Sequence, residues 1–218
     1  MKKITIIGAS GFVGSALLYE AIGRDFTIQA IARDKSKITQ EHPLLSKIEL
    51  DVFDTPKLTE ALKGQEVVIS AYNSGWTNPN IYADFMKGAN SIQNAAKQAD
   101  VKRYLVIGGA GSLEVAPGKQ LVDQAGFPGD YKQGATAARD YLNELKKEKN
   151  IDWAFFSPPP EMHPGITDGR TGKYRIGKDS LLTDEEGKSR LSVEDLAVVI
   201  MDEVETPSIN HARFTAAY

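Results

Sequence analysis

Three glycines, Gly8, Gly11 and Gly14, stand directly behind the β-rich run Ile4-Thr5-Ile6-Ile7 and limit what the start of this chain can become. Gly8 can turn the chain off a strand tip at dihedrals that a β-carbon resists. Gly11 removes the side chain where backbone would approach a pyrophosphate, and Gly14 lets a helix sit close on the strand. Apolar residues of helical period follow at Val13, Leu17, Leu18 and Ala21, and a second β-rich run spans Phe26 to Ala32. Strand, G-x-x-G-x-x-G turn, helix and second strand together predict the first βαβ unit of a dinucleotide-binding sheet; a purely structural turn is the alternative. The predicted phosphate cradle is Gly8, Ser10, Gly11, Phe12, Val13 and Gly14. Its helix-start N–H groups and dipole face the phosphates, and the Ser10 hydroxyl adds a donor.

The tip of the second strand reads Ala30-Ile31-Ala32-Arg33-Asp34. An acid there, about 20 residues beyond the glycines, binds a ribose 2′-hydroxyl and selects NADH, whereas an arginine accommodates a 2′-phosphate. Arg33 is the first polar residue, with Lys35 and Lys37 close behind, and its planar guanidinium also suits stacking on adenine. NADPH is therefore the expected cofactor, with NADH as the alternative if Asp34 serves the ribose rather than capping the turn.

At 218 residues one domain over the whole chain is expected, with 157–190 as a small substrate-side lobe before the last helix. A net charge of −3 offers no basic stripe for nucleic acid. With no cysteine there is no disulfide, thiolate ligand or cysteine nucleophile. Met1-Lys2-Lys3 before an apolar stretch resembles a leader, but the glycines interrupt that stretch at βαβ spacing, so it is read as a strand. No apolar run is long enough to span a membrane. A cytoplasmic monomer or homodimer is expected. Three scattered histidines, His42, His163 and His211, give no metal-ligand spacing.

Further strands are predicted at Ile48 to Leu50, Val67 to Ser70, Arg103 to Ile107 and Asp152 to Phe156. The intervening helices are Thr55 to Leu62, Asn80 to Ala99 and Lys132 to Lys149. Near-continuous apolar strands indicate a parallel sheet covered on both faces. The fold class is thus α/β, a doubly wound parallel sheet, and ligands of such sheets bind at the carboxyl ends of the strands. Asp51 is placed to accept from an adenine amino group beside Val52, or is a solvated turn acid. Ala71, Tyr72 and Asn73 follow the fourth strand. Gly108 and Gly109 follow the fifth, where small residues let a nicotinamide ribose approach. Trp76 is either a lid stacking on a planar substrate or packing over a helix end.

By this point the chain resembles a short-chain dehydrogenase, a family that carries a serine after strand five and a Tyr-x-x-x-Lys pair on the next helix. Ser112 occupies the serine's place. Tyr131 stands at the helix start, but Ala135 replaces the lysine; Tyr141 is followed by Leu145; Tyr174 and Lys178 match the spacing in the wrong part of the fold. The lysine that would lower a tyrosine pKa from about 10 is missing. A flavin, quinone or similar conjugated ring tolerates that loss, because solvent can supply the proton after hydride arrives, whereas a ketone would leave an alkoxide.

Glu161 to Lys188 is rich in glycine, proline and charge, and Ser192 is expected to cap a final helix reaching Val204 before a closing strand near Arg213 to Thr215. The chain is similar to the atypical short-chain dehydrogenases of the NAD(P)H-binding, NADH–flavin reductase-like group, related to biliverdin-IXβ reductase. The similarity rests on the glycine turn, Arg33-Asp34, Gly108 to Ser112, Ser157-Pro158-Pro159 and Gly172 to Arg175. It implies NADPH or NADH as cofactor, a flavin or quinone as acceptor, Ser112 near the nicotinamide, Pro158 beside the cofactor, and His163 as a histidine after strand six. Two other functions stay open: a dinucleotide-binding regulatory or sensor protein without turnover, and a nucleotide-sugar epimerase or dehydratase.

Overall fold

The computed structural model describes residues 1–218. The amino-terminal half runs β1 (Lys3–Ile7), α1 (Phe12–Ile22), β2 (Thr27–Ala32), β3 (Leu45–Glu49), α2 (Thr55–Leu62), β4 (Val67–Ser70) and α3 (Ile81–Gln98). The rest runs β5 (Arg103–Ile107), β6 (Glu114–Ala116), β7 (Lys119–Gln120), α4 (Gly129–Leu145), β8 (Asp152–Phe156), β9 (Arg175–Gly177), α5 (Val193–Glu205) and β10 (Ala212–Ala217). One eight-stranded sheet has the order β3-β2-β1-β4-β5-β8-β10-β9, and β6 and β7 form a separate hairpin. All pairings in the large sheet are parallel except β9, which joins β10 antiparallel. The doubly wound α/β sheet is therefore what forms.

Burial explains the layering. Strands β4 and β5 are buried throughout, so each needs cover on both faces. Leu17 and Leu18 of α1 and Leu196, Ile200 and Met201 of α5 fill one face against Ile4, Ile6 and Phe156. Leu58, Ile92 and Leu142, from α2, α3 and α4, fill the other against Ile7, Val68 and Phe155. The chain steps outward from β1 to β2 and β3, then crosses back to β4 on β1's other side. The reversal falls between the carboxyl ends of β1 and β4, the place where open α/β sheets take ligands in a crevice.

Several boundaries differ from the sequence reading. Strand β3 begins at Leu45, not Ile48; as an edge strand it is only partly buried, and Ser46 and Lys47 disguise it as loop. Helix α4 spans Gly129–Leu145 instead of Lys132 to Lys149, so Tyr131 lies within its first turn. The closing strand extends to Ala217 because β9, within the irregular segment, pairs with residues 215–217. Ser192 caps α5 as expected, accepting the Asp195 N–H at 3.0 Å.

Just beyond α4, the enclosed Glu148 carboxylate accepts from Lys97 at 2.7 Å, Gln93 at 2.8 Å and the Lys149 and Asn150 N–H groups at 2.8 and 2.7 Å. Burial pushes its pKa up, but these bonds outweigh burial and hold it down to about 2, against 4.5 for an ordinary glutamate. A depressed carboxylate stabilises the fold above its unfolded pKa, and that stability is lost as pH falls toward the folded value. Glu148→Gln should cost about 2 kcal/mol at pH 7. The difference should shrink as pH drops below about 4.5 toward 2, which urea melts of both proteins across that window will measure.

Candidate functional site

The glycine turn lies at this reversal, directly after β1. Gly8 has a φ of +79°, and a β-carbon there would lie 2.6 Å from the Ala71 carbonyl oxygen, so the turns after β1 and β4 touch at the reversal. At Gly14 a β-carbon would lie 2.0 Å from the Gly8 oxygen, the close helix-to-strand approach expected of this residue. The N–H groups of Gly8 and Ala9 donate to Ile31 O at 2.9 and 3.2 Å, Gly11 N–H to Gly8 O at 3.0 Å, and Ser15 N–H to Gly11 O at 2.8 Å. The N–H groups of Ser10, Phe12, Val13 and Gly14 have no protein acceptor, and no side chain caps α1. A bare, positively polarised helix end beside a side-chain-free turn suits a diphosphate.

At the β2 tip, Arg33 is exposed, with no hydrogen bond or ion pair to another residue. Asp34 is engaged: one oxygen accepts from Ser36 N–H at 3.0 Å and Ser36 Oγ at 2.5 Å, and Lys37 Nζ lies 3.8 Å from the other. The Ser36 hydroxyl and N–H, with Lys37 contributing, hold its carboxyl below the usual range. Of the two roles read for Asp34, the turn cap is the one its bonds display. Asp51 Oδ1 similarly accepts Phe53 N–H at 2.9 Å, while its second oxygen has no partner. Val52 is buried, and its carbonyl accepts from Ser91 Oγ at 2.5 Å.

Tyr72 turns its side chain toward α3. Its hydroxyl donates to Asp84 O at 3.0 Å and its ring stacks 6.0 Å from Phe85. Burial, then Asp84, pushes the phenol up to about 12, with Arg33 and Asp51 close enough to act on it as well. Ala71 thus meets the glycine turn through its backbone, and Asn73 Oδ1 holds Gly75 N–H at 2.7 Å. Under β5, a β-carbon on Gly108 would lie 2.0 Å from Phe155 Cζ, so the Phe155 ring itself demands a glycine there. Gly109 has more room, with Ala138 Cβ at 3.8 Å, and Pro158 is buried behind β8.

Ser112, Tyr131 and His163 make no hydrogen bond to one another. Ser112 is 1% exposed; its hydroxyl lies 3.0 Å from Ser157 Oγ and accepts from Arg213 Nη1 at 3.3 Å. Arg213 also donates to the Ser112 carbonyl and to Asp179. His163 is exposed, and its Nδ1 accepts Gly165 N–H at 3.1 Å. Tyr131 is half-exposed, its ring centre 5.2 Å from that of Trp76. Tyr141 is buried and bonded to Tyr104 and Gln93, while Tyr174 donates to Asp202 on α5. Sequence reading passed over Arg213 and Asp179, whose link to Ser112 joins distant parts of the chain and leaves no local signal.

A cleft of about 310 Å³ lies on the far flank beside α5, lined by Tyr174, Ile176, Asp202, Glu203 and Phe214. Its acids are already paired, Asp202 with Arg24 and Glu203 with Arg103. No helix is long and apolar enough to cross a membrane.

A family described as NAD(P)H-binding matches residues 8–207. Among solved structures, a candidate epimerase from Bacteroides thetaiotaomicron is 46% identical with a TM-score of 0.91, covering 100% of this chain and 97% of the other. A candidate exported protein from Burkholderia pseudomallei is 40% identical with a TM-score of 0.87, covering 100% of both chains. A candidate NADH-flavin reductase from Streptococcus pneumoniae is 30% identical with a TM-score of 0.87, covering 100% of this chain and 99% of the other.

Proposed function

The chain belongs to the NAD(P)H-binding family, and from that premise we propose that it is a reductase taking NADPH in preference to NADH and passing hydride to a flavin, quinone or similar planar acceptor. The observation that carries this reading is the bare start of α1. The N–H groups of Ser10, Phe12, Val13 and Gly14 are left without a protein acceptor at a turn that admits no β-carbon at Gly8 or Gly14. Unpaired Arg33 supplies the charge for a 2′-phosphate, while Asp34 is held by Ser36. Ser10, Arg33, Asp51 and Asn73 are the polar side chains facing this ligand in the proposal, and Gly109 leaves space beside the β5 tip. When bound, the reduced nicotinamide supplies the hydride.

The chain's own part is to hold the diphosphate, leave a face open for the acceptor, and let water deliver the proton. Ser112 is fixed from three sides by Ser157, Arg213 and Gly109 O, an arrangement that shapes the floor of the acceptor side. Tyr131 has Ala135 where an activating lysine would stand, which favours an acceptor whose reduced form needs no strong acid. The S. pneumoniae relative, described as a candidate NADH-flavin reductase, supports the same choice.

The B. thetaiotaomicron relative favours a second reading, epimerisation, in which hydride leaves and returns to one substrate. Following NADPH absorbance with riboflavin or menadione as acceptor separates the two. With oxygen excluded, the reductase oxidises one NADPH per acceptor and leaves NADP⁺; no oxidation with either acceptor removes this reading.

A further inference from the structure

Beyond the strand tips, two large aromatic side chains stand half in water at the rim of the crevice. Trp76 is 54% exposed and Tyr131 is 51% exposed. Their planes meet at 87° with centroids 5.2 Å apart, so together they form a corner with one indole face and one phenol ring. Surface tryptophans that merely fill space are usually covered more completely than this.

The corner is held in place from three directions. The loop carrying Trp76 is pinned by Asn73 Oδ1 to Gly75 N–H at 2.7 Å, Ser74 Oγ to Ile81 O at 3.1 Å and Asn78 Nδ2 to Asp84 at 2.8 Å. Gly75 has a φ of +106°, a conformation that sets the indole's approach. Inside α4, Gly134 seats the indole together with Ile81: a β-carbon there would lie 2.8 Å from both Trp76 Cζ3 and Ile81 Cδ1. A glycine inside a helix costs about 1 kcal/mol relative to alanine, so this seat opposes α4's own stability.

The corner's position follows from α4. Ala135 packs on Gly111, where a β-carbon would come within 3.0 Å, next to Ser112 at the β5 tip. Tyr131 lies four residues earlier, one turn or about 6 Å further along the helix. Trp76 lies in the loop after β4, which begins with Ala71, the residue whose carbonyl meets Gly8. The corner is thus built from the loop that leaves β4 and from the first turn of α4, the helix that packs on the β5 tip.

Resting on the reductase reading above, we propose that Trp76 and Tyr131 form the stacking wall for the acceptor and determine specificity, selecting fused-ring acceptors of isoalloxazine size over single-ring ones. A ring that stacks on the indole buries the two faces that meet and keeps water off that side of the ring, while its edge stays open to the solvent proton. Every flat fused ring presents a π-face, so the wall reads size and planarity more than substituents. Stacking of this kind is worth roughly ten- to a hundredfold in affinity per ring system.

The test uses the full chain, riboflavin as fused-ring probe and 1,4-benzoquinone as single-ring probe. Trp76→Ala should raise KM for riboflavin about tenfold or more, with kcat changed far less, with benzoquinone kinetics nearly unmoved and with NADPH affinity unchanged. Trp76→Phe should recover part of the loss, and Tyr131→Ala should shift riboflavin KM in the same direction. Trp153, the other tryptophan, is buried and out of contact with the ring, so riboflavin should quench the parent, where Trp76 touches it, more strongly than Trp76→Phe. Quenching without turnover keeps the wall and removes the reductase. Turnover with riboflavin KM unchanged in Trp76→Ala overturns the wall and keeps the reductase. A change of sedimentation in Trp76→Ala with riboflavin binding intact also overturns it, because the corner would then be a contact between copies. Failure of riboflavin to bind the parent at all overturns the proposal outright.

Discussion

Gly14→Ala should lower the melting temperature and weaken NADPH binding together, although alanine is the better helix former by about 1 kcal/mol. Propensity loses here because the added β-carbon would sit 2.0 Å from Gly8 O, 2.7 Å from Gly8 C and 2.8 Å from Ala9 Cα. All three atoms are backbone, and Gly8 and Ala9 are themselves tied to Ile31 O, so nothing nearby can swing aside. Helix α1 must lift from β1, and Leu17 and Leu18, both fully buried, must move with it. Overpacking of this kind costs about 1–3 kcal/mol, more than propensity returns.

The same lift displaces the helix-start N–H groups from the turn. Losing one well-placed bond to a charged phosphate oxygen costs about 1.5–3 kcal/mol, roughly ten- to a hundredfold in affinity. Gly129→Ala is the control: it opens α4, and a β-carbon there meets nothing within 4 Å. That variant should be neutral or slightly stabilising, with NADPH binding intact. Thermal melts with and without NADPH, plus titration of nicotinamide fluorescence, read both effects. A Gly14→Ala protein as stable and as tight-binding as its parent would show that α1 does not rest on Gly8 as described.

Gly14 also illustrates which parts of the molecule were legible in the sequence. The phosphate turn is local: strand, turn and helix lie within a few residues, and their spacing carries the geometry. The strands β4, β5 and β8 were equally legible, because a strand covered on both faces must be apolar at every position. Edge elements carry no such mark. Strand β3 mixes Leu45 and Ile48 with Ser46 and Lys47, and β9 is three residues whose pairing exists only because β10 runs beside it.

Glycines outside the turn show a different difficulty. Gly108 reads naturally as room for a ribose, yet the atoms pressing on it belong to Phe155 on the neighbouring strand. Gly134 carries no signal in α4's own sequence, and the side chains of Trp76 and Ile81, both 2.8 Å from where its β-carbon would lie, explain it. Small residues announce that something comes close but not what. The polar cluster of Ser112, Ser157, Asp179 and Arg213 is harder still, since it joins β5, β8 and β10 through the fold alone.

Arg33→Asp should discriminate between the two nicotinamide cofactors more sharply than any other single change at the β2 tip. Arg33 has no partner in the protein, so its substitution breaks no structural bond, and the fold should melt unchanged. Asp34 spends one oxygen on Ser36 N–H and Oγ, the bonds that shape the turn from Lys35 to Lys37, and its other oxygen lies 3.8 Å from Lys37 Nζ. The guanidinium is therefore the tip's free recognition group, and a charge-assisted bond from it to a 2′-phosphate is worth about 1.5–3 kcal/mol. Losing that bond weakens NADPH roughly ten- to a hundredfold, and the new carboxylate adds repulsion. NADH has a hydroxyl at the same place and should lose at most a few-fold. Because Arg33 is exposed, the attraction is screened by salt, so the parent's NADPH affinity should fall with ionic strength faster than the variant's. Equal losses for NADPH and NADH, or equal salt slopes in both proteins, would assign Arg33 to adenine stacking instead, since a flat guanidinium over a base ignores the phosphate.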